Sequence, residues 1–306
     1  MQERNLPLWR SLLFVPILNE RYVGRAHTRG ADAVILDLED SIALSSKPMA
    51  RAAVRATARA LAEKGVQVLV RINSADDLME ADLKAAVSRW VTAIDVPKAD
   101  PDRLELIDSI VTGLERAEGL VVGSIRLKLI VETASAMLRL REISDHARRN
   151  PRIVAMTLGN EDLCTELGAE PSPDVLIGYC QQIIVAARAA GILPLGYADS
   201  VSDYADLDRF RRSIRTARQI GFCGSSCVHP AHVPILNEIF SPSPAEVAEA
   251  AEVIAVAKNA ADEGAFEFRG RMVDRPIVMR AERILEMDRR VRQTEAHRIA
   301  RPDKSD

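Results

Sequence analysis

The sequence predicts a (β/α)8 TIM barrel with a C-terminal helical and hairpin extension, and three observations predict it. Short aliphatic runs alternate with longer stretches of helical periodicity over most of the chain. Aromatic residues make up only 4% of the 306 residues, so Leu, Ile, Val and Ala must fill the interior, as they do in parallel strands covered by helices on both faces. Charged side chains stand where the aliphatic runs stop, and the C-terminal strand ends are where barrel enzymes gather their chemistry.

Strands are expected at 12–15, 33–36, 67–72, 92–96, 128–131, 153–156, 192–195 and 226–228, each an aliphatic run of strand length bounded by turn residues. Between them, segments 47–63, 102–118, 134–148, 173–190 and 206–219 carry Ala, Arg and Glu at helical spacing, and Gly30, Gly65, Gly191 and Gly221 suit helix ends. Strands recurring about every 30 residues fit a closed barrel better than an open doubly wound sheet, for which no Gly-x-Gly-x-x-Gly turn is present. Beyond the eighth strand come a short helix at 231–240 and an Ala/Glu-rich helix from 244 to about 263. An alternating stretch at 266–274 with Gly270 suggests a hairpin, 276–297 reads as a basic amphipathic helix, and 301–306 is expected to fray. Length alone points to two domains, but barrels use about 200 to 250 residues as one. The expected organisation is a catalytic barrel over 1–240 and an extension over 241–306.

Composition excludes several function classes. With 47% hydrophobic residues and a net charge of −3, the chain can build a large core and carries no general field to draw nucleic acid or an anionic membrane. The apolar run at 12–15 is far shorter than a signal-peptide core or a membrane span, so the expected location is the cytoplasm. Cys164, Cys180, Cys223 and Cys227 are too scattered for a disulfide framework. Cys223-x3-Cys227-x-His229 lacks a second ligand pair, so the cysteines read as small buried hydrophobes and His229 as a strand-end packing residue.

The charges at the strand ends carry the functional reading. Asp37, Glu39 and Asp40 follow 33–36, Arg71 follows 68–70, Lys98 lies past Ile94, Glu132 follows 129–131 and Asp162 follows 153–158. A carboxylate at the end of a core strand is costly to desolvate unless something cationic faces it, so several such ends together read as a site for a cation and an anionic ligand. Glu132 and Asp162, from neighbouring strands, offer the hard oxygen donors that Mg2+ (or Mn2+) uses, with water and the oxygens of a 2-oxo or 2-hydroxy acid completing the sphere. Taken singly, a strand-end Glu is as often a salt-bridge partner as a ligand. Lys98 either lines the pocket or pairs with a nearby acid, and Asn73 and Thr133 are supporting positions.

Arg10-Ser-Leu-Leu-Phe-Val-Pro16, Gly30-Ala-Asp-Ala-Val-Ile-Leu-Asp-Leu-Glu-Asp40, Val70-Arg-Ile-Asn73, Ile130-Val-Glu-Thr133, Leu158-Gly-Asn-Glu-Asp-Leu163, Gly221-Phe with Val228-His-Pro230, and Gly270-Arg-Met-Val-Asp274 appear in order along nearly the whole chain. Together they closely resemble the HpcH/HpaI aldolase and citrate lyase β-subunit family. The resemblance implies a Mg2+-dependent carbon–carbon lyase on a (β/α)8 barrel that cleaves, or forms, a 3-hydroxyacyl-CoA thioester such as citryl-CoA or malyl-CoA. It implies Glu132 and Asp162 as metal ligands, Arg71 as the substrate-binding and oxyanion-facing Arg, and Glu39 and Asp40 as the acids that hold metal-bound waters and that Arg. Lys98 matches a family Leu-Pro-Lys segment, and Asn19 stands in the segment that receives CoA. Asp274 matches a residue that reaches the site from a neighbouring subunit as part of a lid, which implies a homotrimer or hexamer; its bland alternative is a helix cap before Pro276. Two departures bear on CoA: Ile17-Leu18-Asn19 replaces a Gly-Asn or Gly-Asp pair, and Cys223-Gly-Ser-Ser-Cys227 lacks a Lys, with Arg21 and Arg25 as nearby positive charges. The competing expectations are a CoA-independent hydroxy-acid aldolase of the HpaI type and a non-catalytic citrate lyase-like subunit.

Overall fold

The computed structural model describes residues 4–202, 204–259 and 265–299. The tail at 301–306 and the last residues of the helix expected to reach 263 lie outside them. The chain forms two compact units, Met1–Asn237 and Glu238–Asp306.

The first unit is a parallel barrel. Its strands are β1 (Ser11–Pro16), β2 (Ala33–Asp37), β3 (Gln67–Arg71), β4 (Ala93–Val96), β5 (Arg126–Val131), β6 (Ile153–Leu158), β7 (Leu193–Leu195) and β8 (Ser225–Cys227). They pair in the order β7-β6-β5-β4-β3-β2-β1-β8. Two backbone hydrogen bonds close the seam between β7 and the approach to β8: Cys223 N–H donates to Pro194 O at 3.1 Å and Gly196 N–H to Gly224 O at 2.9 Å. Gly224 is needed there, because a Cβ at that position would lie 1.8 Å from the carbonyl oxygen of Trp9.

Why the strands form is legible in their alternation. Leu12, Ala33, Ile35, Leu69, Ala93, Val154, Ala155, Leu193 and Leu195 are fully or nearly buried in one interior cluster with Trp9, and the pairs Ala33 with Ile35 and Leu193 with Leu195 stand two residues apart on one face of their strands. The intervening residues, such as Val34, Val68 and Ile94, are also buried, as strands under a ring of helices require. At the start of the barrel, Arg10 and Asp32 form a buried pair, with Arg10 Nη2 at 2.9 Å from Asp32 Oδ1.

The helices are α1 (Glu20–Ala26), α2 (Lys47–Glu63), α3 (Asp76–Ala86), α4 (Pro101–Ala117), α5 (Ala134–Leu138), α6 (Leu140–Arg149), α7 (Asn160–Leu167), α8 (Pro173–Ala190), α9 (Leu207–Ile220) and α10 (His232–Ile239). The helix expected at 134–148 is broken at Arg139, whose N–H tightens the turn by reaching both Ser135 O and Ala136 O. In the second unit α11 (Pro244–Asn259), the hairpin of β9 (Ala265–Phe268) and β10 (Arg271–Asp274), and α12 (Arg275–Ile299) pack around Ala250, Val253, Val273 and Ala281. No described helix is long and apolar enough to cross a membrane.

Candidate functional site

Asp37, the last residue of β2, organises one side of the barrel's C-terminal rim. Its two oxygens accept from the Glu39 N–H at 2.9 Å and the Ser41 N–H at 3.1 Å, which folds the acidic loop back over the strand end. The same oxygens take the fork of Arg71, the last residue of β3: Nε to Oδ1 at 2.7 Å and Nη2 to Oδ2 at 2.9 Å. The remaining Nη1 lies 3.1 Å from Glu39 Oε2 and 3.0 Å from Asp40 Oδ2. Phe14 on β1 presents its ring 4.9 Å from the guanidinium carbon. Lys47 fixes the loop from below, donating to Leu38 O and Glu39 O at 2.9 Å each. Arg71 is thus held by Asp37 through Nε and Nη2 and by Glu39 and Asp40 through Nη1, a planar and permanently charged group at the rim.

Glu132 faces it, one residue beyond β5 and only 6% exposed. Its Oε1 accepts the backbone N–H of Lys98 at 2.8 Å. Against its other side lies Gly159, where a Cβ would come 2.2 Å from Glu132 Oε2. Lys98 itself has φ of +46°, and its Nζ stands 3.6 Å from Asp162 Oδ2. One residue therefore touches both carboxylates, with its backbone on one and its ammonium on the other. Asp162 sits in the first turn of α7 rather than on a strand extension, because Gly159 starts a helix directly after β6.

The electrostatics follow from this crowding of acids. Burial pushes the Glu132 carboxyl up to about 7, with Asp162 adding to the rise and Lys98 and Arg71 opposing it. Burial likewise lifts Glu39 to about 8, with Asp40 and Glu132 adding and Arg71 opposing. Burial would lower Lys98, but Glu39, Asp162, Glu132 and Asp40 together raise it above the ordinary lysine value. Such an excess of desolvated carboxylate is a place where a divalent cation lowers the energy. Among the described residues no group of three or more His, Cys, Asp or Glu forms a complete cage. The Glu132 and Asp162 pair fits a hard cation that keeps part of its sphere for water and substrate oxygens, which is how Mg2+ binds.

The fold thus brings together Arg71, Glu39, Asp40, Lys98, Glu132 and Asp162. Asn19 lies elsewhere on that rim, after β1, where its Oδ1 caps α1 by accepting the Tyr22 N–H at 3.2 Å. Asp274 ends β10 in the second unit, immediately before α12. Asn73 is a buried bracket between Leu38 O and Asp82, and Thr133 caps α5 through the Ala136 N–H. His229 stacks on Tyr204 at 5.3 Å between centroids. In the sequence Asp37 stands among the strand-end charges without an assigned partner, and Gly159 only as part of the Leu158-to-Leu163 motif. The signal for Asp37 was its position, at the strand end opposite an Arg; Gly159 has no signal until Glu132 is placed against it.

The profile of the HpcH/HpaI aldolase/citrate lyase family matches residues 10–230. The chain is 33% identical over 293 residues to the citrate lyase subunit beta of Escherichia coli K12, covering 93% of this chain and 95% of that protein. It is 35% identical over 264 residues to a (3S)-malyl-CoA thioesterase of Cereibacter sphaeroides, covering 84% and 85%. Among solved structures it resembles the CitE protein of Mycobacterium tuberculosis in complex with magnesium, acetoacetate and coenzyme A, with a TM-score of 0.70 and 28% identity over 93% of this chain and 99% of that one.

Proposed function

We infer that this chain, which belongs to the HpcH/HpaI aldolase/citrate lyase family, is a Mg2+-dependent carbon–carbon lyase that splits a 3-hydroxyacyl-CoA thioester into acetyl-CoA and a 2-oxo acid, or joins them in reverse. The observation that carries the reading is the opposition, at one rim of the barrel, of an Arg71 fork locked by Asp37 to the Glu132 and Asp162 carboxylates bridged by Lys98.

Breaking the bond to the 3-hydroxyl carbon turns that alcohol into a carbonyl, its hydroxyl proton passing to water, and leaves the bonding electron pair as negative charge on the thioester fragment. The site must therefore hold an oxo acid and accept new charge. Glu132 and Asp162 would hold Mg2+, which supplies a Lewis acid and a template for the oxo-acid oxygens. Arg71 meets the developing oxyanion without reorganising, because Asp37, Glu39 and Asp40 already fix the plane of its guanidinium. Lys98 adds a cation beside Asp162 for the substrate carboxylate. Asp274 donates the proton that quenches the thioester fragment, or removes it in condensation, from a neighbouring subunit of a trimer or hexamer. Asn19 and the exposed Arg21 and Arg25, one turn apart on α1, line the route taken by CoA. A cytoplasmic location agrees with four free cysteines.

The thioesterase relatives favour one second reading, hydrolysis of the same thioester. Incubation with citryl-, malyl- and methylmalyl-CoA, with Mg2+ and with EDTA, separates the two by product. Acetyl- or propionyl-CoA plus a 2-oxo acid, abolished by EDTA and restored by Mg2+ or Mn2+, is the expected result. Free CoA plus the intact hydroxy acid would establish hydrolysis. Cleavage of free hydroxy acids with every thioester untouched would replace both with a CoA-independent aldolase.

A further inference from the structure

Arg71 stands in a row of alternating charge. In the sheet register Asp37 lies opposite Arg71, Arg71 opposite Asp95, and Asp95 opposite Lys128, so β2, β3, β4 and β5 place acid, base, acid and base at one level. Ile35, Leu69 and Ala93, each two residues earlier on the first three of these strands, pack in the interior cluster, so the row faces the barrel interior. Lys128 Nζ donates to both oxygens of Asp95, at 2.7 and 2.9 Å. Their side chains are 1% and 0% exposed. Desolvating such a pair costs more than packing apolar side chains of the same volume, and the layer beneath is aliphatic. Burial pushes the Asp95 carboxyl up, while Lys128 and then Arg71 pull it back, so the guanidinium lies within the field of Asp95.

We propose that Lys128 is a positioning residue for Arg71: by occupying both oxygens of Asp95 it leaves the guanidinium to Asp37, Glu39 and Asp40, and hence facing the rim. The proposal rests on the reading of Arg71 as the group that meets substrate. Without Lys128, a second buried carboxylate one strand spacing away competes with Asp37 for the fork. Without Asp95, the Lys128 ammonium loses its counter-charge, and its positive charge bears on the guanidinium two strands away. Removing both charges removes both disturbances.

The test is a double-variant cycle of Lys128→Met, Asp95→Asn and D95N/K128M. In the condensation direction, on Mg2+-loaded protein corrected for folded fraction, KM for the oxo acid should rise by about tenfold or more in each single variant, the scale of losing a supporting partner. It should return to within about twofold of the unaltered protein in the double variant, with kcat moving less. Independently, the NMR Nε–H resonance of Arg71, assigned by its loss in Arg71→Lys, should shift in the single variants and return in the double. A resonance unmoved in the single variants, or a lowered melting midpoint with unchanged KM, makes the pair a packing element and overturns the proposal. Should Lys128→Met fail to fold, Asp95→Asn against the double variant carries the same comparison. Because the resonance is read without substrate, an absence of turnover counts against the proposed reaction and not against the positioning.

Discussion

Lys98 donates its backbone N–H to Glu132 Oε1 at 2.8 Å from a backbone with φ of +46°. A residue with a side chain pays about 1 to 3 kcal/mol to sit in that region, so surrounding structure must hold it there. Pro97 before it and the Ala99 N–H bonded to Ile130 O at 2.9 Å after it do so. The strained residue thus fixes one oxygen of Glu132, and Gly159 leaves room for the other.

Gly159→Ala tests that arrangement. Gly159 has φ of −91°, which any residue adopts, so the added Cβ acts only by its closeness to Glu132, 2.2 Å from Oε2 and 2.4 Å from Cβ. Overpacking should cost about 1 to 3 kcal/mol of stability. Mg2+ affinity by calorimetry should fall about 10- to 100-fold. Unchanged Mg2+ affinity would remove Glu132 from the metal site.

Asp37→Asn keeps the shape of the side chain and removes the charge that both anchors Arg71 and folds the Glu39 loop. Leaving the largely buried guanidinium short of its main partner should cost about 3 kcal/mol in urea unfolding. Misplacement of the fork should lower kcat/KM about 100-fold. Full activity with only a stability loss would restrict Asp37 to loop folding.

Acid stability should depend on Glu115. Its carboxylate takes Arg152 Nη1 and Nη2 at 2.8 and 3.0 Å and the N–H groups of Ile125 and Gly123 at 2.7 and 2.8 Å. Burial would raise this carboxyl, but the Arg152 fork and the two N–H groups outweigh it and hold it below the ordinary glutamate value. The unfolded chain therefore binds its proton first as pH falls. The stabilisation is fully present above the ordinary glutamate pKa of about 4.5 and is lost as pH drops through the lower folded value. Urea unfolding between neutral pH and pH of about 3 should show this loss, and Glu115→Gln should be less stable at neutral pH with a flatter acid limb. Parallel acid limbs in the two proteins would refute it.

Asp274→Asn should lower turnover by about 10²- to 10⁴-fold, the range for a lost general acid or base, while Mg2+ affinity stays unchanged. Retained turnover would make Asp274 a cap for α12 and nothing more.

The order of the eight strands was open to reading because each is a local event: an aliphatic run of strand length stopped by turn residues. The site acids were open to reading for the same reason, since a charge that ends an apolar run has few inexpensive explanations. Helix α3 was missed because Asp82 interrupts its buried face beside Met79, Leu83 and Ala86. That acid is tolerated only through Arg51 and Asn73, which arrive from other elements. Asp162 was expected at a strand end and lies on α7, since Gly159 both accommodates Glu132 and starts the helix. Chain chemistry by itself determined the barrel, its extension and the family of acids at the rim, because hydrophobic period and charge are properties of neighbours in sequence. Tertiary structure decided that Asp37 holds Arg71, that Lys98 spans both carboxylates and that Asp95 is neutralised by Lys128. Those pairings depend on the stagger of adjacent strands around a closed barrel, and stagger is set by how the whole ring packs rather than by any one strand.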